Sequence, residues 1–222
     1  MVGWKEGKYG MEKVIKLEKV SKYFKEEKVL DDVSMEFEKG KIYGIVGKNG
    51  SGKTVLFKVI AGYLKTSSGS VYVNNKKIGQ DMDFAENMGL IIETPGFLTQ
   101  YNAYQNLEYL ASIRNKITKE KIKEAIRMVG LDPDDKKKVG KFSLGMRQRL
   151  GIAQAIMENP DLLLLDEPMN GLDKQGIGVV KSLLLELKKS GKTILMSSHY
   201  AEDMEICDHV YEMEMGVLHQ LR

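Results

Sequence analysis

Hydrophobic and polar positions along the chain follow two different periods. Val14–Val20 and Asp32–Phe37 alternate, with Val33, Met35 and Phe37 on one face of the second segment, as half-buried strands do. Lys41–Val46 (KIYGIV), Gly89–Ile92, Leu162–Leu165 and Thr193–Met196 are instead short apolar runs, expected of parallel strands covered on both faces. Ser70–Val73 and Lys76–Ile78 flank Asn74-Asn75, which predicts a hairpin with an asparagine turn. Helical spacing appears over Val55–Ala61, and from Tyr101 to Ile113 with Leu107, Leu110 and Ala111. It recurs after Thr118, a predicted N-cap, with Ile122, Ala125, Ile126 and Val129. Another amphipathic helix is expected from Phe142 to Asn159, stopped by Pro160. The pattern as a whole predicts an α/β chain whose opening third is β-rich and partly antiparallel, with a helical stretch inserted between parallel strands.

Composition narrows the class. A chain of 222 residues with 42% hydrophobic content can bury the core of one compact domain. A net charge of +3 is too small to argue for a nucleic-acid partner. One cysteine, Cys207, excludes an intramolecular disulfide framework and fits a reducing cytosol. No apolar run approaches the roughly 20 residues that span a bilayer, so a link to the membrane is expected to come through a partner. The opening MVGWKEGKYG lacks an apolar signal core, and its glycines and charges predict a frayed leader over residues 1–11.

The chemistry centres on Gly47–Thr54, GKNGSGKT, which fits G-x-x-x-x-G-K-[ST] between an apolar strand and a helix. In such a loop Gly47, Gly50 and Gly52 let the backbone approach a row of phosphates, and the N–H groups from Asn49 through Val55 face the anion. Ser51 belongs to the same cradle; Lys53 would reach the β- and γ-phosphates and the Thr54 hydroxyl would take a position on Mg²⁺. The apolar run Leu162–Leu165 ends in Asp166-Glu167-Pro168, carboxylates expected beyond the carboxyl end of a parallel strand, where ligands bind. There Asp166 would hold Mg²⁺ through water, and Glu167 would act as a base on an attacking water, although adjacent acids at a strand end also make an ordinary solvated turn. His199 ends the run Thr193–Ser198 where a donor to a γ-phosphate would be useful. Ser143 and Gly145 open the helix before Pro160 as a second candidate anion site, a pattern that is equally a plain N-cap. Tyr23, after the first strand, has the aromatic face to stack on an adenine or simply to pack at a rim.

In order and spacing these pieces resemble the ATP-binding subunit of an ABC transporter, over essentially Glu12 to the C-terminus. GKNGSGKT resembles the Walker A loop, LLLLDEP the Walker B strand with its catalytic glutamate, and Asn170–Asp173 (NGLD) the D-loop. His199 resembles the switch histidine, Tyr23 the adenine-stacking aromatic, and SLGMRQRLGIAQA the signature helix. The resemblance implies a P-loop NTPase core with a parallel sheet, an N-terminal antiparallel β subdomain and an inserted α-helical subdomain at about residues 97–150, all within one domain over 12–222. It further implies ATP and Mg²⁺, hydrolysis by Glu167, His199 and Lys53, and nucleotide contacts from Ser143, Gly145 and Asp173 of a facing copy in a dimer, with a homodimer favoured. A transmembrane permease on a separate chain would hold the protein at the cytoplasmic face of the membrane, and Phe97, Leu98 and Tyr101 would meet it.

Two positions depart from the family pattern. The signature reads FSLGM, and Glu93 stands where glutamine is usual. Glutamate keeps the oxygen that faces Mg²⁺ but loses the amide donor. With that loop the chain resembles the ATPases of bacitracin- and lantibiotic-type export or immunity systems. The alternative is a soluble ABC-type ATPase of translation or DNA repair, although Gly62–Phe142 is too short for a repair-type coiled coil. A GTPase reading lacks N-K-x-D.

Overall fold

The structure is a computed structural model that describes residues 12–222; the leader expected over 1–11 lies outside the described residues. Strands β1 (Lys13–Phe24), β2 (Glu27–Glu38), β4 (Ser68–Val73) and β5 (Lys76–Lys77) form an antiparallel sheet in the order β2-β1-β4-β5. Strands β3 (Ile42–Val46), β6 (Met88–Ile91), β7 (Leu162–Leu165), β8 (Thr193–Ser198), β9 (His209–Glu214) and β10 (Val217–Gln220) form the central sheet in the order β10-β9-β3-β8-β7-β6. The five strands from β9 to β6 run parallel, and β10 closes one edge as an antiparallel hairpin with β9. Five α-helices connect them: α1 (Lys53–Ala61), α2 (Ala103–Arg114), α3 (Lys119–Met128), α4 (Leu144–Ile156) and α5 (Lys174–Lys189).

Alternation along the buried strands builds two cores, one on each face of the central sheet. In β7, Leu162 and Leu164 pack with Phe37, Phe57 and Val73 under the antiparallel sheet and α1. Leu163 and Leu165 turn to the other face and join Leu107, Ile126, Leu150 and Leu184 of the helices. Burying one such leucine contributes about 1.5–3 kcal/mol, so four in a row fix this strand in the sheet interior. Its carboxyl end is thereby rigid, and that is where Asp166 and Glu167 begin.

Local signals act as expected in several places. Asn74 and Asn75 take φ of 49° and 62°, the left-handed pair that closes a two-residue hairpin. The Thr118 hydroxyl accepts from the Lys121 N–H and caps α3. Elsewhere the boundaries move. α1 begins at Lys53, two residues earlier than the apolar period indicates, because Gly52 in the left-handed region makes the N-cap. α4 ends at Ile156 rather than Asn159: Pro160 excludes the helical region for the residue before it, and Asn159 turns to φ 54°. The β9–β10 hairpin is absent from the sequence reading.

Cys207 is buried with its thiol pushed up to about 12 by desolvation, which makes it inert packing. No helix among the described residues is long and apolar enough to cross a membrane.

Candidate functional site

The loop between β3 and α1 is shaped by backbone crowding. A Cβ on Gly47 would stand 2.4 Å from the Met213 carbonyl and 2.7 Å from Ser51 Oγ. Gly52, at φ 111°, would put a Cβ 2.7 Å from the Val29 carbonyl. Both positions therefore accept only glycine in this geometry, one for close approach and the other also for its dihedral. The loop is propped from behind by the β9–β10 turn, whose Gly216 N–H donates to the Ser51 carbonyl at 3.2 Å. A cavity of about 220 Å³ opens over it, lined by Asn49, Gly50, Gly52, Lys53, Thr54, Val55, Glu167 and Val29.

Lys53 is 5% exposed, and its ammonium donates to the Gly47 carbonyl at 2.6 Å and the Lys48 carbonyl at 3.0 Å. Its pKa is lowered, with desolvation the largest cause and opposed by the charges of Glu167 and Asp166. The Glu167 carboxylate lies 4.0 Å away. A buried cation held mainly by neutral carbonyls is poised for an anion. The Ser51 hydroxyl, also buried, finds no hydrogen-bond partner in the chain. Both features fit a phosphate group entering the loop.

Across the loop stands the end of β7. Thr54 Oγ1 donates to Asp166 Oδ2 at 2.6 Å, joining the hydroxyl and the carboxylate chosen from sequence as metal partners. Glu167 follows in the left-handed region at φ 49°, a conformation that costs a non-glycine residue on the order of 1 kcal/mol and is kept only where neighbours enforce it. Its N–H donates to Ser197 Oγ at 3.0 Å, and its carbonyl accepts from Gln148 Nε2 at 3.0 Å and from the Asn170 N–H at 3.1 Å. The carboxylate is thus turned towards His199, whose Nδ1 lies 3.3 Å from Glu167 Oε2. Phosphate loop, strand-end acids and histidine converge at the carboxyl ends of β3, β7 and β8, as the apolar runs predict.

A second cavity of about 250 Å³ adjoins Thr54 and Asp166, and Glu93 lines it together with Gln148 and Glu167. Glu93, at φ 61°, is largely exposed and paired with Lys58 of α1 at 2.5 Å. Among the described residues no three His, Cys, Asp or Glu side chains group as a self-sufficient metal cage. The hydroxyl–carboxylate pair of Thr54 and Asp166 is the donor set that a magnesium ion takes when a nucleotide phosphate supplies the rest.

Other predicted residues stand apart from these cavities. Ser143 caps α4, accepting from the Met146 N–H at 3.1 Å. The next turn is tight, because a Cβ on Gly145 would be 2.9 Å from the Gly171 carbonyl. Asp173 caps α5, accepting from the Gly176 N–H at 2.7 Å. Tyr23 is half-exposed near the end of β1 with Lys28 5.7 Å from its ring centroid, and it is not among the residues lining the cavity at the phosphate loop; Val29 is. Sequence reasoning missed Gln148 and Ser197, the two side chains that hold the Glu167 backbone. Gln148 had a signal, a polar residue on the inner side of an amphipathic helix.

Comparison with known proteins agrees with this fold. A family model described as ABC transporter matches residues 30–170. An uncharacterised ABC transporter ATP-binding protein of Bacillus subtilis, YybJ, is 44% identical over 206 residues, 92% of this chain and 94% of that one. The bacitracin transport ATP-binding protein BcrA of Enterococcus faecalis is 39% identical over 212 residues, 95% of this chain and 68% of that one. Among solved structures, the ADP conformation of MJ1267, an ATP-binding cassette of an ABC transporter, matches with a TM-score of 0.78 and 30% identity, covering 93% of this chain and 89% of that one.

Proposed function

This chain belongs to the ABC transporter family as an ATP-binding subunit, and we propose that it couples ATP hydrolysis at the site around Lys53 and Glu167 to export through a separate transmembrane permease. The observation that carries the hydrolytic assignment is the convergence of Thr54, Asp166, Glu167 and His199 beside a glycine-shaped phosphate loop. In this reading Lys53 exchanges its two carbonyl partners for the β- and γ-phosphates of ATP. Thr54 and Asp166 would hold Mg²⁺, which would neutralise phosphate charge there. Glu167 takes the proton of the attacking water, and His199, within reach of the same carboxylate, donates towards the γ-phosphate.

Ser143 and Asp173 are exposed and Gly145 is half-buried, and none joins the chain's own phosphate cavity. We assign them to the nucleotide of a second copy, so that ATP lies between two chains and closes the pair by linkage. Tyr23 stacks on the adenine in this arrangement. The loop that begins at Glu93 carries Leu98 and Tyr101 at the surface, while Phe97 packs against the helical core. Leu98 and Tyr101 are the candidate contacts for a cytoplasmic helix of the permease, which would place the chain at the inner membrane face. The likeness to BcrA supports a peptide antibiotic as the cargo class.

The test is a tagged pull-down from detergent-solubilised native membranes. A stoichiometric multi-span protein is expected, and recovery of ribosomes or of no partner, with ATPase activity intact, overturns the transport assignment in favour of a soluble role. Glu93→Gln is expected to keep most of the ATPase activity, because the oxygen that faces the metal remains. A loss of about a hundredfold or more in steady-state hydrolysis, some 2.7 kcal/mol, would show that the carboxylate itself is required.

A further inference from the structure

Ser197 is completely buried near the end of β8, two residues before His199 and outside both cavities of the site. A buried hydroxyl in the middle of an apolar sheet is costly unless its hydrogen bonds are made. Here both are made, and both go to the catalytic acids. Ser197 Oγ donates to Asp166 Oδ1 at 2.5 Å and accepts from the Glu167 N–H at 3.0 Å. Its neighbour on the opposite oxygen of Asp166 is Thr54. One hydroxyl therefore fixes the rotation of the Asp166 carboxylate and, through the following peptide, holds Glu167 in its left-handed conformation.

We propose that Ser197 is a positioning residue for hydrolysis, setting the metal-facing carboxylate and the general base in register from a neighbouring strand. It contacts neither nucleotide nor water itself. The proton it donates to Oδ1 leaves Oδ2 as the oxygen available to the Thr54 side, so the carboxylate presents one defined edge to the phosphate loop. The Glu167 peptide has no other partner for its N–H among the described hydrogen bonds. Without Ser197 the strained φ at Glu167 is enforced from the carbonyl side alone, by Gln148 and Asn170. The inference rests on the assignment of Asp166 and Glu167 above.

The experiment compares Ser197→Ala and Ser197→Thr with the parent protein and with Glu167→Gln. Ser197→Ala is expected to weaken Mn²⁺ binding, read by electron paramagnetic resonance with a non-hydrolysable ATP analogue, and to lower kcat, each by about ten- to a hundredfold. Affinity for a fluorescent ATP analogue in chelator should be unchanged, since the phosphate loop is untouched. Ser197→Thr keeps the hydroxyl and should recover both losses. Three results overturn the proposal: Mn²⁺ affinity and kcat of Ser197→Ala within twofold of the parent, a fall in chelator affinity and melting temperature with Mn²⁺ affinity unchanged, or a Thr variant no better than Ala. Glu167→Gln separates the two levels. If it still hydrolyses ATP, the assignment of the site fails; if it is inactive while Ser197→Ala is normal, only the role of Ser197 fails.

Discussion

Glu167→Gln should reduce ATP hydrolysis by about 10²–10⁴-fold while leaving nucleotide binding intact. The substitution keeps the volume and the backbone bonds to Ser197, Gln148 and Asn170, none of which involves the carboxylate. It removes the charge near Lys53 and leaves a neutral amide facing His199, and with the carboxylate goes the proposed base for the attacking water. Because closure of the proposed pair needs ATP but reopening needs hydrolysis, the variant should accumulate as an ATP-bound dimer. Light scattering under saturating Mg-ATP reads this directly. A variant that stays monomeric counts against the facing pair, and one that still turns over counts against Glu167 as the base.

Lys53→Ala should abolish hydrolysis for a different reason. Removing a buried charge partner commonly costs about 3–5 kcal/mol, equivalent to roughly two to four decades in affinity or rate. The phosphate would meet a loop with backbone donors but no cation. The protein without nucleotide, however, should not suffer. Desolvation penalises the Lys53 ammonium, and only loop carbonyls and a carboxylate 4.0 Å away offset that penalty. Differential scanning fluorimetry should thus give the Ala variant a melting temperature equal to or above the parent's in chelator, with the rise on adding ATP lost. Unchanged hydrolysis would sink the phosphate-site assignment; a large fall in the nucleotide-free melting temperature would show that Lys53 serves mainly the fold.

What was legible in the sequence is what short-range chemistry dictates. The four leucines of β7 announced a strand covered on both faces, and the glycines of the phosphate loop announced backbone approach, since each signal lies within a few residues of its effect. The hairpin asparagines and the Thr118 cap were readable for the same reason. The capping box of α2, in which Asn102 and Gln105 exchange side-chain-to-backbone bonds, was available in N-x-x-Q and went unread. Ser197 was not readable in this way. Its partners Asp166 and Glu167 are 31 and 30 residues away, and a serine before a histidine at a strand end looks like any polar terminus. The β9–β10 hairpin hid behind weak alternation, with Val210 buried between half-buried His209 and Tyr211 and Met213 between the exposed Glu212 and Glu214, although the left-handed turn at Met215-Gly216 sits where its sequence ends the apolar pattern.

The close approach of Gly145 to the Gly171 carbonyl has a consequence for a transporter with two ATP sites. In the proposed facing pair Gly145 would serve the nucleotide bound by the other chain, whereas Gly171 stands four residues after the chain's own Glu167. A Cβ on Gly145 would stand 2.9 Å from the Gly171 carbonyl, and one on Gly171 would stand 2.4 Å from the Leu144 side chain, so neither turn has room for a methyl group. In that proposed pair each chain would link one ATP to the other, so that release of phosphate on one side would shift the surface that grips the remaining ATP. Turnover should accordingly depend on ATP concentration with a Hill coefficient above one, and a methyl group at either glycine would uncouple the sites before it emptied them.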